Sequence, residues 1–296
     1  MPTPLPELHA FPDSLVFARK LGGALGWPVE RIALHHFPDW ESLVRVRATS
    51  GAPAIVVRSL DDPNAKLIEL LLAADALRRA GAGPLTLVAP YLAYMRQDRV
   101  FTPGEPISQR VVGALLGSAF DRVLTVEAHL HRIEKLDEVF PCRAESLPAA
   151  PVLTQWLREH AADALLVGPD EESEAWLRHV AAEAGLAFSI GRKRRRSDAE
   201  VELSLPALPA GVARAVLVDD IASTGATLAA AARALRKAGV SSVEALVVHA
   251  LFAAGSVPAL AEAGIARVVS TDTIPHPTNR IGVAALLAAA LAGEEG

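Results

Sequence analysis

The chain has 296 residues, 51% of them hydrophobic and 21% charged, and a formal net charge of -5 at pH 7. This balance excludes a disordered chain and a general attraction to nucleic acid or anionic lipid, and the length suffices for two domains that each bury a core. A single cysteine, Cys142, excludes an intrachain disulfide or a cysteine-based metal cluster and suits a reducing cytoplasm.

At the N-terminus no basic flank leads into an apolar secretion signal. Residues 8–11 read as a strand, and Asp13 or Ser14 can cap a helix running to about Leu25. Residues 31–37, 42–48 and 54–60 alternate or run apolar at strand length. Between the first two lies Phe37-Pro38-Asp39-Trp40-Glu41, a tight acidic turn that on its own is a plain hairpin loop. A helix over 64–80 leads through Gly81 and Gly83 into a strand over 85–89. That strand delivers Tyr94-Met95-Arg96-Gln97-Asp98-Arg99, with Glu105-Pro106-Ile107-Ser108 behind it. Loops after parallel strands carry binding groups, and Arg96 and Arg99 can each grip a phosphate by a fork of N–H donors; a solvated, salt-bridged loop has the same composition.

A helix over 108–118 and a strand over 122–126 lead to Glu127-Ala128-His129. A histidine at a strand end serves as metal ligand, phosphate donor or hydrogen-bonded structural residue. Small residues and prolines at 145–151 mark a crossover between lobes, giving domains 1–147 and 148–296. The second lobe begins with a helix over 152–159 and a strand over 164–167, which ends in Gly168-Pro169-Asp170-Glu171-Glu172-Ser173. A helix to Ala184, a strand near 187–190, the basic run Arg192-Lys193-Arg194-Arg195-Arg196 and a short strand over 201–205 follow. By itself the basic run is a solvated or nucleic-acid-binding patch.

The apolar run at 215–218 then ends at Asp219 and Asp220, ahead of Ser223-Thr224-Gly225-Ala226-Thr227 and an Ala-rich helix over 226–237. Two adjacent carboxylates accept vicinal hydroxyls or bridge a divalent cation. The hydroxyl-rich turn and the positive helix end suit a phosphate, and Gly225 lets the backbone come close. Phosphate plus diol indicates a sugar phosphate, whereas an ordinary strand end with a cap at Ser223 or Thr224 is the simpler alternative. Strands over 243–250 and 267–271 complete the sheet, and the longest apolar tract, 283–292, is too short to span a bilayer and reads as a terminal helix. Strands alternating with helices imply an α/β chain with parallel sheets and right-handed crossovers, and each lobe ends a strand in acid or histidine, as a duplicated unit would.

The motif from Asp219 to Thr227 resembles that of the type I phosphoribosyltransferases. Together with the Phe37, Arg96, His129 and Lys193 segments it resembles the ribose-phosphate pyrophosphokinases (PRPP synthetases) over nearly the whole chain. The resemblance implies two tandem phosphoribosyltransferase-like domains, each a largely parallel sheet flanked by helices. It implies transfer of the β,γ-diphosphoryl group of ATP to the 1-hydroxyl of ribose 5-phosphate, giving PRPP and AMP. Phe37, Asp39 and Glu41 would contact adenine in a neighbouring subunit's site, and Arg96, Gln97 and Asp98 would hold ATP. Lys193 and Arg195 would be the catalytic pair of a mobile loop. Asp219, Asp220, Ser223, Thr224, Gly225, Ala226 and Thr227 would bind ribose 5-phosphate, and His129 and Asp170 would carry Mg2+. The implied protein is a cytoplasmic homo-oligomer, dimer or hexamer, with no nucleic-acid or membrane partner.

The chain departs from the family pattern in three places. Glu171-Glu172-Ser173 stands where the family has Ala-Gly-Gly after its aspartate, which either alters metal binding or substrate or supplies idle first-turn helix acids. Phe11-Pro12-Asp13-Ser14 replaces a Gly-Ser turn used in regulatory phosphate binding, and Glu127 replaces an aspartate. A non-catalytic regulatory paralogue, or an enzyme for a variant pentose phosphate, would accommodate these changes. A phosphoribosyltransferase that consumes PRPP would leave the first lobe without a use.

Overall fold

Aliphatic runs bounded by glycine, proline and acidic turns become the strands of two parallel sheets in the computed structural model, which describes residues 5–47, 51–130, 132–195 and 201–293. Contacts divide the chain into two units, Met1–Leu147 with Val283–Gly296, and Pro148–Gly282. The first unit contains β1 (Glu7–Ala10), a 3-10 turn at Pro12–Ser14, α1 (Leu15–Leu25), β2 (Val29–Arg31), the hairpin β3 (Ala33–His36) and β4 (Ser42–Arg45), and β5 (Ala54–Val57). It continues with α2 (Pro63–Arg79), β6 (Leu85–Ala89), α3 (Ser108–Ala119), β7 (Arg122–Val126) and β8 (Arg143–Leu147).

The second unit starts with α4 (Ala150–His160), β9 (Leu165–Gly168), a 3-10 turn at Glu171–Ser173, α5 (Glu174–Ala184), β10 (Phe188–Ile190) and the hairpin β11 (Arg192–Arg195) and β12 (Val201–Ser204). β13 (Arg214–Ala222), α6 (Ala226–Lys237), β14 (Ser242–Ala250), α7 (Ser256–Glu262), β15 (Ile265–Thr271) and β16 (Asn279–Ile281) complete it. Finally α8 (Ala284–Ala292) packs against α1 and β7 of the first unit. The boundary drawn from sequence gives this helix to the second domain instead. Its placement has a physical basis, because Leu287 and Leu291 are buried there and the Arg122 guanidinium donates to the Ala290 carbonyl at the helix end.

Both sheets have one topology. The strand orders are β2-β1-β5-β6-β7-β8 and β10-β9-β13-β14-β15-β16, parallel throughout, and each unit inserts a separate antiparallel hairpin between its second and third sheet strands. The Phe37–Glu41 turn and the basic run therefore occupy equivalent insertions.

In the second unit, Leu165, Val167, Ala215, Leu217, Ala245 and Val247 form one face of the sheet and pack against Leu228, Ala231, Ala232 and Leu235 of α6. Alternate strand residues and a stripe of helix residues meet there, and the alanines let helix and sheet approach closely. At the opposite strand ends buried Glu244 takes Arg214 at 2.7 Å and Arg267 at 2.6 Å, tying β13, β14 and β15 together.

Several elements differ from the sequence reading. Residues 31–37 break at Ile32, whose N–H donates to Ala10 O at 2.9 Å, so β2 stays beside β1 and the hairpin leaves from there. Residues 145–147, read as a crossover, form the polar edge strand β8. β13 runs on through both aspartates to Ala222, and the basic run is a strand where a loop was expected.

A buried histidine of the first sheet is only partly compensated. His9 on β1 is 1% exposed, its ring nitrogens lack hydrogen-bond partners, and Glu7 stands 3.5 Å away. Burial outweighs the Glu7 and Glu30 charges and lowers its pKa below 6.5. The unfolded chain therefore takes up this proton first as pH falls, and stability is lost below about 6.5 at up to about 1.4 kcal/mol per pH unit until the folded pKa is reached. Urea midpoints measured between pH 7.5 and 5 should show this fall and a shallower one in His9→Leu; parallel curves would contradict the assignment.

Candidate active site

The carboxyl edge of the second sheet gathers three acids. Asp219 and Asp220 lie within β13, with Asp219 Oδ1 accepting from the Asp220 N–H at 3.1 Å and Asp220 Oδ1 accepting from the Ile221 N–H at 2.8 Å. Burial, and then the charges of Asp220 and Asp170, push the Asp219 carboxyl well above the ordinary carboxylate range. With the Asp220 N–H alone as donor in these contacts, Asp219 is held against ionisation, and sugar hydroxyls or a divalent cation would relieve that penalty. Among the described residues no three acidic, histidine or cysteine groups are arranged to hold a metal ion by themselves.

Beyond Ala222 the chain turns at Ser223–Gly225 into α6. Gly225 adopts φ 73°, a conformation that favours glycine, and a Cβ there would press on Leu260 Cδ2 at 3.1 Å. Ala253 N–H and Ser256 Oγ donate to the Ser223 carbonyl at 3.2 and 3.1 Å, fastening the turn to the loop after β14. Thr224 Oγ1 accepts from Ala226 N–H at 3.4 Å, and no side chain caps the helix. An uncapped helix start on a rigid turn offers its first N–H groups to an anion. Ser256 and Leu260, which shape this turn, escape a reading by sequence proximity because they arrive from α7.

Asp170 follows β9 and caps the 3-10 turn, accepting from Ser173 N–H at 3.3 Å. Glu171 is exposed and pairs with Arg192 Nε at 3.3 Å, at the foot of the basic strand. Of the two readings of Glu171, first-turn acid fits this placement, with Arg192 as its counter-charge. β11 pairs with β12 in the register Lys193↔Leu203 and Arg195↔Val201. The side chains of Lys193 and Arg195, and residue Arg196, lie outside the described residues.

In the first unit, the loop after β6 holds Tyr94 at φ 66°, and Gln97 N–H donates to Tyr94 O at 3.3 Å. Arg96 and Gln97 are exposed, while Asp98 is turned to Arg132 Nε at 3.5 Å with its side chain 7% exposed. His129 follows β7 in this unit, whereas Asp170, its expected partner for a metal, is in the other. At the tip of the β3–β4 hairpin Phe37 N–H donates to Glu41 O at 2.8 Å and Trp40 N–H to Phe37 O at 2.9 Å. Trp40 is 84% exposed and has φ 70°, a left-handed conformation costing a bulky residue about 1–2 kcal/mol.

Comparison with known proteins accounts for both units. The model for the N-terminal domain of ribose phosphate pyrophosphokinase matches residues 8–119, and that for the phosphoribosyl transferase domain matches residues 148–284. A ribose-phosphate pyrophosphokinase of Methanopyrus kandleri is 34% identical over 282 residues, covering 94% of this chain and 96% of the relative. The chain belongs to the ribose-phosphate pyrophosphokinase family. The family relative from Thermococcus kodakarensis is 35% identical over 258 residues, covering 87% of this chain and 91% of its own. The crystal structure of phosphoribosylpyrophosphate synthetase from Mycobacterium smegmatis superposes with a TM-score of 0.86 at 28% identity, over 99% of this chain and 100% of that one. Family membership makes the chain an ATP-dependent diphosphotransferase of phosphoribosyltransferase fold, and among the described residues no helix is long and apolar enough to cross a membrane.

Proposed function

We propose that the protein transfers the β,γ-diphosphoryl group of ATP to the 1-hydroxyl of ribose 5-phosphate, releasing AMP, and that the turn after β13 holds the sugar. The observation that carries this reading is the coincidence, at one sheet edge, of a half-buried acid pair and a helix start behind Gly225 that no side chain caps. The 5-phosphate takes free N–H groups of the turn from Ser223 to Thr227, and Asp219 and Asp220 accept from the ribose hydroxyls. Arg96 and Gln97 grip the nucleotide phosphates, with Asp98 setting the loop through Arg132. Phe37, Asp39 and Glu41 contact adenine in the site of a neighbouring subunit, which makes the working protein a homo-oligomer, a dimer or hexamer, in the cytoplasm where both substrates are found.

The acids fit Mg2+, which typically binds one or two carboxylates and fills its shell with water and substrate oxygens, so the lack of a complete protein cage is consistent with it. Asp170 and His129 would each supply a ligand, and bound Mg2+ would neutralise charge on the triphosphate. Lys193 and Arg195 stabilise charge that develops on the transferring group, an interaction useful chiefly in the transition state. Purified protein given ATP, Mg2+ and ribose 5-phosphate should release AMP only when the sugar is present. AMP seen only with another pentose phosphate would transfer the reading to that acceptor, and pyrophosphate released from PRPP and a base would replace it with a phosphoribosyltransferase.

A further inference from the structure

Glu69 stands on α2, far in sequence from every motif above, and is 1% exposed. Its Oε1 takes the His36 ring Nε2 at 2.7 Å and the Ser42 hydroxyl at 2.8 Å, and its Oε2 forms an ion pair with Arg58 Nη1 at 2.6 Å. His36 and Ser42 face each other as the last rung of the β3–β4 ladder, immediately before the Phe37–Glu41 tip. Arg58 itself is 3% exposed, lies over the Phe11 ring at 3.9 Å and pairs with Asp13 at 3.1 Å. A single buried carboxylate thus ties both legs of a largely exposed hairpin to the helix and to the sheet edge. Burial opposes ionisation of Glu69, yet the hydrogen bonds from His36, Ser42 and Arg58 outweigh it and keep the carboxyl below its ordinary value.

We propose that Glu69 is a positioning residue for nucleotide recognition, fixing through His36 and Ser42 the angle at which the Phe37–Glu41 tip is presented to ATP. The inference deepens the reading of that tip as an adenine contact and rests on it. A hairpin whose sheet is two strands alone is marginal without such an anchor, and ordering it in advance lowers the entropy that ATP must overcome on binding.

The test cuts the clamp without unpairing buried Arg58. In the double variant His36→Ala/Ser42→Ala, the Arg58–Glu69 pair is retained. The KM for ATP should rise about tenfold or more, with kcat and the KM for ribose 5-phosphate within about twofold of the parent. Hydrogen exchange of the amides at 33–45 should accelerate while that of β5–β7 does not. His36→Gln, which can still donate to Glu69, should restore the ATP KM. An unchanged ATP KM, or a fall in kcat alone together with a lowered melting temperature, would overturn the proposal. If the parent releases no AMP the adenine reading fails, and with it the recognition role of Glu69. The exchange experiment still decides whether Glu69 holds the hairpin, and unaltered exchange at 33–45 would overturn that part too.

Discussion

Replacing Lys193 by Ala is expected to lower kcat by about 10²–10³-fold while leaving the KM values for ATP and ribose 5-phosphate within a few-fold. The argument starts from position. β11 carries four consecutive cations, Arg192 to Arg195, in a hairpin that stands outside the main sheet. Arg192, the first of these, pairs with Glu171 at the foot of the strand. A cation that closes over a transferring diphosphoryl group contributes where charge is developing, so its removal reaches turnover before binding. Arg195→Ala should behave in the same direction. Steady-state kinetics on both variants would check this, and an unaltered kcat in Lys193→Ala would remove the hairpin from the chemistry.

Asp220→Ala is the second large effect, expected to reduce kcat/KM for ribose 5-phosphate by at least about 10–100-fold, the worth of charged hydrogen bonds to the hydroxyls. It should also change the pH response. In the parent, Asp219 has a raised pKa, caused by burial and then by the neighbouring Asp220 and Asp170 charges. Sugar binding that needs the ionised carboxylate therefore weakens as pH falls through that raised value. Removing the Asp220 charge eases the ionisation of Asp219, and the acid limb of the kcat/KM profile should move to lower pH. A profile that stays in place would mean that Asp219 does not titrate in the binding step.

Much of this architecture could be read from sequence where a local pattern dictates structure. The strands at Leu85–Ala89 and Arg122–Val126 are apolar runs with hard borders, and α6 over Ala226–Lys237 is an alanine-rich segment behind a glycine turn. β8 was not legible because Arg143, Glu145 and Ser146 give an edge strand a polar face, and β16 has only three residues. The extension of β13 through Asp219 and Asp220 was hidden by strand propensity, which is poor for aspartate although the ladder to β14 continues past it.

The site divides in the same way. A contiguous motif such as Asp219–Thr227 displays its residue types in sequence, whereas Ser256, Leu260 and Glu69 reach their places only by tertiary contact. For Glu69 a signal existed, since it is the one charge within Leu67-Ile68-Glu69-Leu70-Leu71-Leu72, and a charge on the buried face of a helix requires a partner. Trp40 gave none, because a left-handed tryptophan runs against what side-chain type suggests.

The account depends on which phosphorus of ATP reaches the sugar, and ATP labelled at the β-phosphorus answers this directly. With Mg2+ and ribose 5-phosphate, the label should appear in the pentose product and the adenine nucleotide released should be unlabelled AMP. Labelled ADP, or a sugar product free of label, would contradict diphosphoryl transfer.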